Sequence, residues 1–198
     1  MGGIMTAEPQ HRRPVPPTDG CTVDGLLTLP GLPPHTELID GSLVVRAPQR
    51  DFHSVVIDLL TAELRGAVPA DLRVRREMTV ELDRRNAPEP DVSVVRRTAV
   101  VDRRQTRFQA RDVVLAVEVV SPDSEARDRD TKPLKYAVAG IPHFWLVEMG
   151  GREGHPVVHV HELDPVTRRY TPTGIHRERL KLRVPFDLDI DLTGVGEL

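Results

Sequence analysis

Apolar side chains recur along this chain in two rhythms. The most apolar run, Val113-Val114-Leu115-Ala116-Val117-Glu118-Val119-Val120, is short and rich in β-branched residues, which predicts a buried strand over 112–121. Successive strand side chains point to opposite faces, so Val113, Leu115, Val117 and Val119 share one face, and Val114, Ala116, Glu118 and Val120 the other. Glu118 therefore sits in apolar company. A carboxylate there is costly unless a cation, a hydrogen-bond donor or a metal compensates it.

The same two-residue rhythm predicts further strands. Glu37 to Val45 alternates around Asp40-Gly41, a pair that tolerates positive φ, and reads as a hairpin. Leu72 to Leu82 reads as one long strand, with Val74, Met78, Val80 and Leu82 on one side. After a turn over 84–88, Pro90 to Val95 forms another, its proline at the entrance where a missing N–H is tolerated. Phe144 to Glu148, a hairpin of Val157–Leu163 with Arg168–Thr171, and Phe186 to Leu192 complete the set. The helical rhythm appears in Phe52, Val55, Val56, Leu59, Leu60 and Leu64, giving a helix over 52–65 with Asp51 as its N-cap. A short helix is expected over 22–29. A charged loop over 122–130 should lead to a third helix, with Thr131 as N-cap, Lys132-Pro133 in the first turn and Gly140 as the stop. The arginine-rich stretch 96–111 reads as a connection with one or two short turns. Carboxylate-bearing strands with helices before and after them predict an α+β or α/β sheet domain.

Composition narrows the picture. Residues 1–20 are polar and proline-rich and read as a mobile arm, which leaves 21–198 as a single domain. Aromatics make up only 4%, so valine and leucine must fill the core. A net charge of −3 excludes a generally basic nucleic-acid coat but leaves room for a locally basic groove. Cys21 is the single cysteine, so no intrachain disulfide can form and a reducing cytoplasm is the expected location. No apolar run approaches the ~20 residues of a membrane span, and no secretory leader is read at the N-terminus.

The chemistry lies in two strand carboxylates, Asp91 and Glu118, followed by a helix that carries lysines. Two carboxylates converging at one end of a sheet make a hard oxygen site suited to Mg²⁺ or Mn²⁺. A neighbouring lysine can orient a water or neutralise charge on a phosphate. Lys132, Lys135 and Lys181 are the only lysines among 27 basic residues, so two of them three positions apart stand out.

Five ordered blocks then carry a resemblance: Glu37-Leu38-Ile39-Asp40-Gly41, Pro90-Asp91-Val92-Ser93-Val94-Val95, Val117-Glu118-Val119-Val120-Ser121-Pro122, the stretch from Asp128 through Lys132 to Tyr136, and Ala139-Gly140-Ile141-Pro142-His143-Phe144-Trp145-Leu146-Val147-Glu148. Over roughly residues 20–192 the chain resembles the Uma2 family of restriction-endonuclease-like proteins, within the PD-(D/E)XK nuclease superfamily. The resemblance implies an α/β/α-like core, a mixed central sheet flanked by helices with an added N-terminal hairpin, and metal-dependent cleavage of DNA. It places Asp91 and Glu118 on the metal and Glu37 as a further acidic residue of the site. The lysine expected two residues after Glu118 is replaced by Val120, and the family pattern points to Lys132 instead, with Lys135 in reserve. Homodimers are common among such nucleases, which cut both strands.

Blander roles stand beside these. Glu118 could be a structural carboxylate paired with an arginine, and Glu37 an ordinary hairpin residue. His53 reads first as a helix-packing or capping residue, with a contact to the site or to phosphate as its alternative, Tyr136 as a core or interface residue, and His155, His159 and His161 as exposed hairpin histidines rather than zinc ligands. Arg73, Arg75, Arg76, Arg84 and Arg85 are candidates for phosphate contacts. The rival function is a catalytically inactive module that keeps the nuclease fold and binds nucleic acid or protein. A small-molecule metal hydrolase is a third.

Overall fold

The computed structural model describes residues 19–150 and 154–197. The arm expected over 1–20 falls, up to residue 18, outside the described residues. Helix α1 (Val23–Thr28) starts at Thr22, whose hydroxyl accepts from Gly25 N. Strands β1 (Thr36–Ile39) and β2 (Ser42–Val45) form the expected hairpin. Asp40 and Gly41 take φ of 51° and 78° at its turn, the conformation that a tight two-residue connection demands. Helix α2 (Asp51–Ala67) buries Val56, Ile57, Leu60 and Leu64 along one stripe. It begins one position earlier than expected, with Arg50 as its cap and Asp51 in the first turn.

Strands β3 (Leu72–Arg76), β4 (Thr79–Glu81), β5 (Val92–Arg96), β6 (Arg107–Gln109) and β7 (Val113–Val119) follow. Helix α3 (Lys132–Ala139) closes on Gly140 in the left-handed conformation, φ 84°. Strands β8 (His143–Gly150), β9 (His155–Asp164), β10 (Arg169–His176), β11 (Arg179–Leu182) and β12 (Leu188–Asp191) complete the chain.

The central sheet has six strands in the order β10-β9-β8-β7-β5-β3. Within this sheet β7 and β8 pair in parallel and the other neighbours antiparallel. A parallel pair needs a crossover, and α3 supplies it. One face of the sheet packs on α2 and the β11–β12 pair, through Leu60, Val117, Trp145, Leu180 and Ile190. The other packs on α3 and the β4–β6 pair, through Tyr136, Phe144, Val80, Phe108 and Ala116. The result is the mixed sheet flanked by helices that the sequence predicts. Among the described residues, no helix is long and apolar enough to cross a membrane.

Three elements differ from expectation. The single strand over 72–82 is broken at Glu77, which takes φ 47° and donates its N–H to Asp91 O at 3.2 Å. Beyond the break, β4 leaves the main sheet and pairs in parallel with β6, a strand hidden in the arginine-rich connection. Alternation continues through the break because Val74 and Val80 are both buried, though in different clusters. The charged loop over 122–130 is helical from Glu125, and a π segment, Arg127–Thr131, runs straight into α3. Thr131 is inside the helix at φ −75°, ψ −54°, and its side chain caps nothing. Lys132 is therefore not in a first turn. No apolar stripe announced this helix because the residue it turns inward at this level is Asp128, which meets charge rather than core. Finally, β12 is shorter than the strand expected over 186–192, and its partner β11 went unread because Leu180 is its single buried residue.

Candidate functional site

The β5–β7 ladder pairs Val92 with Val117 and Ser93 with Ala116. One step further, Asp91 and Glu118 stand opposite each other on neighbouring strands and the same sheet face. Both are completely buried. Pro88 and Pro90 flank Glu89 in the lead-in to β5, which favours the extended backbone that delivers Asp91 to this level.

Lys132 answers the question of what compensates Glu118. Its ammonium lies 3.0 Å from Glu118 Oε2, 2.9 Å from Glu37 Oε1 and 3.3 Å from Asp128 Oδ1. The Tyr136 hydroxyl, one turn further along α3, donates to Glu118 Oε1 at 2.5 Å. Glu37 reaches the cluster from β1 and also accepts the Glu89 N–H at 2.9 Å, which ties the hairpin to the lead-in of β5. Asp128 comes from the π segment and is held by the Ser124 hydroxyl.

Asp91 has its own partners. Arg46, just past β2, pairs with Oδ1. The Val119 N–H donates to Oδ2 at 2.6 Å. His53 Nε2, from the first turn of α2, lies 3.2 Å from the same oxygen, close enough for attraction but off the line of a hydrogen bond.

The electrostatics separate the two acids. Burial alone would raise the Asp91 carboxyl, but His53 and Arg46 outweigh it and hold it at about 2. Burial pushes Glu118 well above the carboxylate range, with repulsion from Asp128, Asp91 and Glu37 added and only Lys132 pulling strongly the other way. Burial likewise raises Asp128. Lys132 resists its own burial because Glu118, Glu37, Asp128 and Asp91 surround it, and its affinity for the proton rises. The Tyr136 hydroxyl is raised by burial and by Glu118.

The residues can be tested against the divalent ion expected from the sequence. Among the described residues, no group of three or more His, Cys, Asp or Glu side chains could hold a metal ion. The available set is the pair of carboxylates, Asp91 and Glu118. Mg²⁺ is commonly held by one or two carboxylates, with water and substrate phosphate filling its other positions. Four buried carboxylates, Glu37, Asp91, Glu118 and Asp128, face two permanent cations, Arg46 and Lys132. Burial raises Glu118 and Asp128, and a divalent cation beside them would favour their ionised forms; oxygen is also the donor that Mg²⁺ and Mn²⁺ prefer. The residues fit such an ion.

A cleft of about 190 Å³ adjoins the cluster, lined by Arg50, Phe52, His53, Val120, Ser121 and Arg129 among others. His53 belongs to both, with its ring against Asp91 and part of the cleft wall. The cleft also meets β7 two residues beyond Glu118, near the carboxyl ends of the parallel β7–β8 pair, where ligands approach open α/β sheets.

All four residues singled out from the sequence thus belong to one buried network: Asp91, Glu118, Lys132 and Glu37. Lys135 does not join them, and pairs with Asp40 at the hairpin turn at 2.5 Å. His155, His159 and His161 form no metal-binding group among the described residues, and His159 contacts Glu148 at 2.8 Å. His53 and Tyr136 do more than pack. Arg46 and Asp128 were missed as site residues: one arginine among many carries no signal, whereas Asp128 lies four positions before Lys132 and could have been found had the helix been read back that far.

Comparison with known proteins agrees with this architecture. The model of the Uma2 family, described as "Putative restriction endonuclease", matches residues 23–193. No curated protein matches the sequence. The solved structure of "a putative nuclease belonging to DUF820 from Anabaena variabilis ATCC 29413", a member of the same family, superposes with a TM-score of 0.68 at 18% identity, covering 89% of this chain and 97% of that one. At that identity the likeness establishes the fold. The family match spans the hairpin, the carboxylate-bearing strands and the lysine-bearing helix alike, and the chain belongs to the Uma2 family of restriction-endonuclease-like proteins.

Proposed function

We propose that the chain is a divalent-metal-dependent endonuclease that hydrolyses phosphodiester bonds of DNA. The observation that carries this reading is the meeting of Asp91 and Glu118 on adjacent strands, with Lys132 3.0 Å from Glu118. Asp91 and Glu118 would hold Mg²⁺ or Mn²⁺. When bound, such an ion supplies a water of lowered pKa and screens the charge of the phosphate.

The chain's own groups do the rest. Asp91, kept ionised by Arg46 and His53, is a ligand at any ordinary pH. Lys132 is held protonated, so it donates hydrogen bonds and positive charge and does not remove a proton. It orients a water or steadies charge gathering on the phosphate. Glu37 positions Lys132 and ties it to β1. Tyr136 occupies Glu118 Oε1 and fixes the carboxylate in its plane. His53 holds Asp91 and walls the cleft by which a phosphate arrives. We place the activity in the cytoplasm and expect a second copy of the chain where both strands are cut.

One observation favours the rival reading of an inactive, nucleic-acid-binding module: Arg46 already occupies Asp91 Oδ1. Incubating supercoiled plasmid with the protein and Mg²⁺ or Mn²⁺ separates the two. Nicked and linear products that vanish with EDTA are expected. Intact plasmid with every divalent ion, alongside salt-sensitive binding of the same plasmid, would assign the rival role.

A further inference from the structure

The arginines divide by whether a carboxylate answers them. Arg46, Arg76, Arg107, Arg129 and Arg179 are each ion-paired. Among the described residues, Arg73 and Arg75 on β3 are not. Arg73 donates to the backbone carbonyls of Ala70 and Leu72 at 3.0 and 2.6 Å, and Arg75 to that of Val74 at 2.8 Å. Among the described residues, Arg103 has no ion pair either.

Strand register fixes where these cations stand. Arg75 pairs with Ser93 and Arg73 with Val95, while Ser93 pairs with Ala116. Paired residues share a sheet face, so Arg73 and Arg75 lie on the face that carries Asp91 and Glu118. Arg75 is two residues along from the level of Asp91, about 7 Å. Strand β3 is the last in the sheet order, and among the described residues its outer edge has no partner strand.

Beside it runs a groove of about 760 Å³, lined by Arg75, Met78, Val100, Arg103, Gln105 and Phe108 among others, with Asp102 the single acid among its described lining residues. Burial and the like charges of Arg73 and Arg65 lower the proton affinity of Arg75, the mark of cations crowded without an anion. The chain as a whole carries −3, yet residues 96–107 hold five arginines against one aspartate. Positive charge has been gathered locally on an acidic protein.

We propose that this groove is a second phosphate site, which grips the backbone of duplex DNA away from the cut, and that the substrate is a polymer rather than a small phosphoester. The inference rests on the nuclease reading and extends it. Arg75 and Arg103 neutralise two flanking phosphates over a floor that includes the apolar side chains of Met78, Val100 and Phe108.

The test is fluorescence anisotropy of a short labelled DNA duplex, in EDTA so that nothing is cut, over a range of salt concentrations. Each lost phosphate contact lowers the slope of log affinity against log salt by about 0.9, so the R75Q/R103Q double variant should lose roughly 2 from the slope and bind at least about tenfold more weakly at low salt. R75K/R103K should keep the slope, because an ammonium also neutralises phosphate. R103E alone, on an exposed connection where folding is not at stake, should weaken binding in the same direction. An unchanged slope and affinity in R75Q/R103Q and R103E, in a protein that still cuts plasmid, overturns the groove and spares the nuclease. Absence of salt-dependent duplex binding by the wild-type chain removes both.

Discussion

Replacing Lys132 with methionine is expected to cost about 3–5 kcal/mol of stability at pH 8 and to abolish cleavage. Methionine fills nearly the same space, so the loss is electrostatic. Glu37, Glu118 and Asp128 all lean on this one ammonium, and all are buried. Removing it leaves three carboxylates in low dielectric with no central cation. In a chain of this size the loss corresponds to a fall in Tm of roughly 10 °C.

The pH dependence has a definite sign. Lys132 gains proton affinity on folding, so its contribution is complete below the ordinary lysine value and is lost only in strong alkali. Between pH 5 and 9 it is constant. Glu118 is also raised on folding, so its stabilising contribution is complete below the ordinary value of 4.5 and is lost as pH rises through its shifted value. Without Lys132 that rise becomes larger. The gap between the variant and wild type should therefore widen from pH 5 to pH 8, as read by thermal or urea unfolding in EDTA. A gap of less than about 1 kcal/mol at pH 8 would mean that the ammonium does not hold these acids.

Replacing Asp91 with asparagine is expected to lower plasmid cleavage at least about 10³-fold, because a metal ion supplies several kcal/mol of transition-state stabilisation. Asparagine preserves shape and can still accept the Val119 N–H through its carbonyl oxygen, so the strand pairing survives. What goes is the charge. Stability should change in a separate pH window: a carboxyl held at about 2 stabilises the fold above its ordinary 3.8 and loses that contribution as pH falls through 2. Wild type should therefore show an acid transition between about pH 4 and 2 that is blunted in the variant. Asp91 stays ionised throughout the working range, so the acid limb of the rate profile belongs to the raised groups, Glu118 and Asp128.

Much of this site could be read from the sequence because its parts interrupt strong patterns. Glu118 breaks a β-branched run, and Asp40-Gly41 names its own turn. Asp91 follows a proline at a strand entrance. These are local signals, and the strands and hairpin formed where they pointed. Lys132 needed the family resemblance, since periodicity placed it in a first helical turn, whereas it lies inside a helix that begins at Glu125. Binary patterning assumes that inward means apolar, and the π segment turns Asp128 inward toward a lysine. Pairings between distant segments were equally silent. The parallel meeting of β4 with β6 and the reach of Arg46 to Asp91 depend on tertiary context that no window of sequence contains. The sequence reads Tyr136 as core or interface; its ring is core, and the hydroxyl at the far end is what meets Glu118.

The central claim is that Asp91 and Glu118 share one divalent cation, and calorimetric titration of the chain with Mn²⁺ tests it most directly. The account predicts a single site in wild type, lost in both Asp91→Asn and Glu118→Gln and retained in Glu37→Gln, whose carboxylate serves Lys132 instead. Equal Mn²⁺ binding by wild type and Asp91→Asn, or plasmid cleavage by a wild-type chain that binds no divalent ion, would contradict it.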